Sequence, residues 1–212
     1  MGAVGLIYVG AVLFVNGAML LGWVEGRSAA PLNIFVGALQ VITPTYLIFT
    51  ANGNADQILN ASGLYLFGFT YLYVAFNLFM NLDGTGLGFF SLFVAVAAVC
   101  YSLVNFFRLG DPVFGVIWLY WAFLWLLFFL LLGRAQEGLG RYTGAVAAIQ
   151  GWVTGALPAA LLLLGVWGGS NSGLIATIFA VVGIVVFAAL WVPLRPRGGT
   201  APVTTDRTAA AT

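Results

Sequence analysis

Apolar residues fall in seven long blocks, at about 3–23, 31–50, 62–81, 87–107, 113–132, 142–167 and 173–194. Short polar stretches separate them: Glu25–Arg27, Asn52–Asn60, Asp83–Gly84, Arg108–Asp111, Arg134–Arg141 and Gly168–Ser172. Each block is long enough to cross a hydrocarbon core of about 30 Å as a helix. Hydrocarbon offers no partner to a free peptide group, so a spanning segment satisfies its backbone internally. The ten-residue alternating segments of a β-barrel are missing from the pattern. The blocks therefore predict an all-α membrane protein, a seven-transmembrane-helix bundle over residues 1–194. The stretch 195–212, RPRGGTAPVTTDRTAAAT, has little apolar surface to bury and is expected to be a disordered tail. The first ten residues, MGAVGLIYVG, lack a basic leader and a cleavage pattern, so they read as a retained helix.

Composition changes one inference. The chain has 212 residues, a length that by itself suggests one or two soluble domains. With 62% of them hydrophobic and 6% charged, a single membrane bundle is expected instead. The net charge of +1 gives no sign of a nucleic-acid partner. All seven basic residues are arginine. Arg27, Arg134, Arg141, Arg195, Arg197 and Arg207 fall in the first, third and fifth loops or the tail, and only Arg108 falls on the other side. The positive-inside rule then places the N-terminus outside and the C-terminus in the cytoplasm. The lone Cys100 excludes an intrachain disulfide.

No Asp, Glu, Lys, Arg or His lies inside an apolar block. Such residues mark proton relays, charged selectivity rings and voltage sensors. The same lack removes the ligands of an intramembrane metal site and the base of a Ser–His nucleophile. With no lysine in the chain, a retinal Schiff base cannot form. No enzyme and no cofactor are expected.

Candidate chemistry is therefore neutral. The fifth block, VFGVIWLYWAFLWLLFF, carries Trp118, Trp121 and Trp125 at helical spacing on one face. Membrane tryptophans usually sit at headgroup level. Trp121 and Trp125 would lie roughly 10 Å or more from either interface at 1.5 Å rise per residue. A buried indole N–H needs an acceptor. The stripe is either helix-packing surface or the flat wall of a narrow path for a small neutral solute. In the third block, Phe69, Tyr73 and Asn77 recur at four-residue spacing and form either a packing stripe or a second aromatic wall facing the tryptophans. The first block places Leu13 and Asn16 on one face, and a mid-span asparagine needs another helix or a passing solute as partner.

The sixth block has two adjoining faces. Ala147, Gly151, Gly155 and Ala159 form a small-residue ladder suited to close helix packing. Gln150, Thr154 and Pro158 form the neighbouring face. Pro158 has no N–H to donate to the Thr154 carbonyl, so that carbonyl and the Gln150 amide are candidate contacts for an amide solute. Pro44 would free the carbonyl of Gln40 in the same way. Both prolines also fit simple kinks.

The segments LFGFTYLYVAFN (66–77), SLFVA (91–95), VIWLYWAFLWLLFF (116–129) and 140–167, with YVGAVLFVNG near the start, resemble the AmiS/UreI family of urea and short-chain amide channels. The resemblance covers roughly residues 1–167. It implies a homohexamer in a bacterial inner membrane, each protomer with its own pore and lipid filling the ring centre. It also implies passive diffusion of urea or small amides, and a functional partnership with an amidase or urease. The lining positions it implies are Leu13, Asn16, Phe69, Tyr73, Trp118, Trp121, Leu124 and Trp125.

Three departures follow. Acid-gated members carry histidines in outward loops, and this chain has none. Where those members carry a glutamate in the sixth span, this chain has Gln150. The helix 173–194 lies outside the match and is expected to pack against lipid. The combined expectation is a passive, non-gated channel for urea or short-chain aliphatic amides, of the amide-channel branch, with an aromatic-lined slot. The alternatives are a channel for water, ammonia or glycerol, and a non-conducting membrane assembly protein.

Overall fold

The computed structural model describes residues 2–196. Nearly all of this is helix: α1 Gly2–Leu20, α2 Gly26–Phe49, α3 Ala55–Ser62, α4 Leu64–Met80, α5 Thr85–Val104, α6 Pro112–Phe128, α7 Gly140–Gln150, α8 Leu157–Leu163 and α9 Ser172–Leu194. Seven continuous rods are long and apolar enough to cross a membrane, because α3 runs into α4 and α7 into α8. The protein is an all-α membrane protein with no strand among the described residues. From Arg197 onward the expected disordered tail lies outside the described residues.

Several boundaries differ from the sequence expectation, among them the start of the second span, at Gly26 and not at 31. The polar stretch 52–60 is not only a loop. Asn54 caps a helix there, its side-chain oxygen accepting from the N–H groups of Asp56 and Gln57, both at 3.1 Å. Capping of this kind is favourable for asparagine and starts the third span earlier than hydropathy alone indicates. The sixth span ends at Leu163, not near 167. Beyond it the chain turns, and the Trp167 indole donates to the Asp111 carboxylate at 2.8 Å.

The first six spans close a ring. Neighbours touch in the order α1, α2, α4, α5, α6 and α7–α8, which returns to α1. Glycine sets the closest seams. Gly10 of α1 lies against the backbone of Gly151 and Ala156, and Gly17 against Gly144 and Ala148. Gly151 and Gly155, half of the predicted small-residue ladder, meet Gly10 in return. Between lipid-bathed helices such close backbone approach supplies the packing that holds them together. Gly88 and Gly133 do the same for α5 and the end of α6, and Gly37 and Gly68 for α2 and α4.

Three wide helical turns interrupt the rods, at Asn105–Leu109, Phe129–Gly133 and Gly151–Ala156. The last lies immediately before Pro158. There the Leu157 N–H donates to Trp152, five residues back. Widening of the ladder is a known way to accommodate a proline that cannot donate.

α9 stands outside the ring against α6 and α7. Only Ala176, Gly183 and Phe187 of it are buried. Two tyrosines of the ring fix it: Tyr120 donates to the Phe179 carbonyl, and Tyr142 to the Phe187 carbonyl at 3.0 Å. Gly183 leaves room for the Tyr120 hydroxyl, which would overlap any side chain there. The rest of α9 presents an exposed apolar surface, at Ile184 and Val192 among others.

Candidate solute pathway

At one end of the ring a recess of about 680 Å³ opens beside the start of α1. Every one of the six spans contributes to its wall, through Leu6, Leu47, Leu64, Leu109, Trp118 and Leu162 among others. It therefore lies on the axis of the ring. Trp118 and Trp121 are its deepest aromatic members. Among the polar lining residues, Asp111 caps α6 by accepting from Phe114 N–H at 2.9 Å, while Arg108 and Asp56, chain neighbours of the lining residues Leu109 and Gln57, pair at 2.7 Å. Pairs as exposed as Arg108–Asp56 are worth little stability and leave the charges solvated.

Below the recess the predicted tryptophan stripe closes on a single ring. Phe67 of α4 meets Trp118, Trp121 and Trp125 with centroids 5.7, 4.7 and 5.1 Å apart. The contacts with Trp121 and Trp125 are edge-on, at interplanar angles of 76° and 79°. Edge-on placement suits the ring quadrupoles. Trp118 is also stacked on Tyr101 at 4.6 Å, and the Tyr101 hydroxyl is 2.6 Å from Ser62. All three tryptophans are buried, as are Leu13 and Leu124.

The indole N–H groups have acceptors within the protein. Trp121 donates to the Thr154 hydroxyl at 2.9 Å and Trp125 to the Thr70 hydroxyl at 3.2 Å. Thr154 passes its own hydrogen to the Gln150 carbonyl at 2.6 Å. The Gln150 side chain donates to the Tyr120 carbonyl at 3.0 Å. Gln150 and Thr154 are thus fully buried where the sixth span meets α6, with the Gln150 side-chain oxygen unpartnered among the described residues. Asn16 meets another helix: it exchanges reciprocal amide hydrogen bonds with Asn33 of α2, at 2.9 and 2.7 Å.

The expectation that Phe69, Tyr73 and Asn77 form a wall facing the tryptophans is corrected. Phe69 is 50% exposed and stacks on Tyr65, outside the tryptophan cluster. Tyr73 points its hydroxyl at Gly86 of α5. Asn77 lies in a surface cleft beside Arg27 and Asn81, at the end opposite the recess. Phe67, Thr70 and Tyr71 occupy the inner face instead, all buried. The reason is visible in the sequence after the fact. Aromatics occupy positions 65, 67, 69, 71 and 73, every second residue, so two helix faces look alike. Contact of Gly68 with the Gln40 backbone carbonyl fixes the rotation of α4 and chooses between them. Asn33 and the side chain of Gln40, of which only the backbone carbonyl was singled out, were also missed; both are polar residues buried inside an apolar block, and that alone singles them out.

Six transmembrane spans ringing an aromatic-floored axial recess define a class, a polytopic helical membrane protein with an internal recess. The chain belongs to the AmiS/UreI family, whose description, AmiS/UreI family transporter, matches residues 1–166. It is a family of transporters, not of enzymes. The chain is 55% identical over 190 residues to a Mycolicibacterium smegmatis protein named as an amidate substrates transporter, covering 90% of this chain and 87% of that one. It is 34% identical over 190 residues to the acid-activated urea channel of Helicobacter pylori, covering 76% and 97%. The crystal structure of the urea channel from Helicobacter pylori superposes with a TM-score of 0.71 at 32% identity, covering 79% of this chain and all of the other.

Proposed function

We propose that the protein is a passive, non-gated channel for urea and short-chain aliphatic amides. The observation that carries this reading is the closure of an axial recess onto Phe67 ringed by three tryptophans. Solute would enter the recess, pass edgewise along the flat aromatic faces near Trp118, Trp121, Leu124 and Trp125, and leave near Asn77. The relatives named for amidate substrates and for urea support the solute class.

An uncharged wall fits that solute. An ion stripped of water without a fixed countercharge meets a prohibitive cost. A neutral amide loses roughly 4–8 kcal/mol on entering an alkane-like zone. Sparse hydrogen-bonding groups return part of that, and conduction requires that they not return all of it. In this reading residues 1–167 form the channel bundle and 173–194 an added helix. Six protomers form a ring in the bacterial inner membrane, lipid fills its centre, and an amidase or urease consumes the solute.

Stopped-flow uptake into proteoliposomes tests the proposal. Urea and acetamide are expected to enter several-fold faster than glycerol. Flux no greater than in empty liposomes would make the protein a non-conducting assembly component, and preference for water, ammonia or glycerol would give it a different solute.

Flux is expected to change less than about twofold between pH 5 and 7.5. The chain has no histidine. At the inner loop, hydrogen bonds from the Thr85 hydroxyl and N–H hold the Asp83 carboxyl below its ordinary value. Asp83 therefore stays ionised throughout that window and titrates only below it. A steep rise in flux on acidification would refute the non-gated reading.

Orientation is testable separately. A reporter fused after Arg197 should be cytoplasmic, and one inserted between Gly168 and Ser172 external. The structure's alternation of ends agrees with seven crossings: the recess end gathers Gly2, Gln57 and Phe114, while Gly138 and Pro196 meet at the other. An external tail reporter would reverse the assignment.

A further inference from the structure

Most polar side chains at the level of the tryptophans are engaged with one another. Trp121 and Trp125 donate to threonines, and Asn16 pairs with Asn33. Gln40 differs. It is fully buried, yet neither its amide nitrogen nor its carbonyl oxygen has a partner among the described residues. We infer that Gln40 is the specificity-determining hydrogen-bonding group of the constriction, pairing its carboxamide with the carboxamide edge of a passing solute. The inference rests on the channel reading above.

Its position supports this. Gln40 lies on the inward stripe of α2, seven residues from Asn33 on one side and seven from Leu47 on the other. Leu47 walls the recess. The Gln40 backbone carbonyl abuts Gly68, next to Phe67 at the centre of the tryptophan cluster. Its side-chain oxygen reaches Gly5 of α1, whose neighbour Leu6 walls the recess. Any Cβ at Gly5 would come within 2.5 Å of that oxygen, so the glycine makes room for the amide group.

Chemistry identifies the complement. Buried polar groups are nearly always hydrogen-bonded, and a carboxamide open at both ends is an exception that calls for an explanation. The same helix shows what satisfies one: Asn33 and Asn16 exchange two amide hydrogen bonds, nitrogen to oxygen in each direction. A primary amide or urea presents the same adjacent N–H and C=O and can form that reciprocal pair with Gln40. Glycerol offers hydroxyls but no such planar edge. A pair formed in transit and not held by further contacts favours entry without trapping the solute.

The test is proteoliposome uptake of acetamide, urea and glycerol by the wild type, Gln40→Leu and Gly5→Ala, with thermal unfolding measured alongside. In Gln40→Leu the amide-to-glycerol ratio is expected to fall threefold to tenfold, the worth of a lost hydrogen bond. Thermal stability should hold, because an unpartnered amide gives way to an apolar group. Gly5→Ala pushes the Gln40 oxygen aside without changing its chemistry and should lower the same ratio. An unchanged ratio in Gln40→Leu overturns the inference. If that variant fails to fold, an unchanged ratio in Gly5→Ala does so instead. Absence of amide uptake by the wild type would instead refute the channel reading itself.

Discussion

Trp121→Ala is expected to widen the solute range, admitting butyramide at a rate approaching that of acetamide. Trp121 borders the axial recess and is also the edge-on neighbour of Phe67 at 4.7 Å. Its indole is thus the partition between the recess and the aromatic cluster beneath. Removing it opens space on the order of a small solute. Burial of a tryptophan in a soluble core is worth roughly 3–5 kcal/mol against alanine. At Trp121 the loss should be smaller, because the recess already bounds one side of the ring. The abandoned Thr154 hydroxyl still donates to the Gln150 carbonyl, so no orphaned donor adds to the cost. Trp125→Ala provides the contrast. Trp125 is 1% exposed and is not part of the recess wall, so its removal leaves an enclosed cavity and should carry the full destabilisation. The measurements are the butyramide-to-acetamide permeability ratio and thermal unfolding in detergent. An unchanged ratio with equal destabilisation in both variants would reduce the stripe to packing.

A second large effect is expected at Gly10. In Gly10→Val the new Cβ would lie 2.5 Å from the Gly151 carbonyl oxygen and 2.6 Å from the Ala156 nitrogen. Both are backbone atoms, so no side chain can rotate away. The seam must part, and it is the seam in which Gly155 lies 2.5 Å from Gly10 measured the same way. Overpacking of a close-packed interior typically costs 1–3 kcal/mol, and a backbone clash belongs at or beyond the upper end, about 3 kcal/mol or more. Folded yield and thermal stability should drop sharply, whatever the solute. Gly173→Ala is the control. Nothing lies within 4 Å of a Cβ there, and no change is expected. Near-normal stability in Gly10→Val would mean that α1 and the wide turn Gly151–Ala156 approach less closely than described.

The same geometry explains how far the sequence could be read. Hydropathy set the number of spans, because lipid requires backbone groups to be satisfied within each segment. It missed several boundaries, one of them decided by local capping at Asn54. The grouping of Trp118, Trp121 and Trp125 on one face was equally legible, since helical spacing alone puts them there. The small-residue ladder announced a tight seam, although not that Gly10 of α1 was its partner.

The partners of those features were decided in three dimensions. Helical period cannot choose between two aromatic faces, and α4 offers both. Gly68 against the Gln40 carbonyl turned Phe67 and Tyr71 inward and left Phe69 outside. A polar residue in a span announces only a need for a partner. Packing gave Asn16 the amide of Asn33, gave the indoles of Trp121 and Trp125 the hydroxyls of Thr154 and Thr70, and gave the Gln40 side chain no partner among the described residues. The sequence by itself determined which segments span the membrane and which residues share a helix face, because both follow from local backbone geometry and hydrocarbon solvation. Only the tertiary structure decided which face turns inward and which polar groups stay unsatisfied, because those depend on where one backbone is able to approach another.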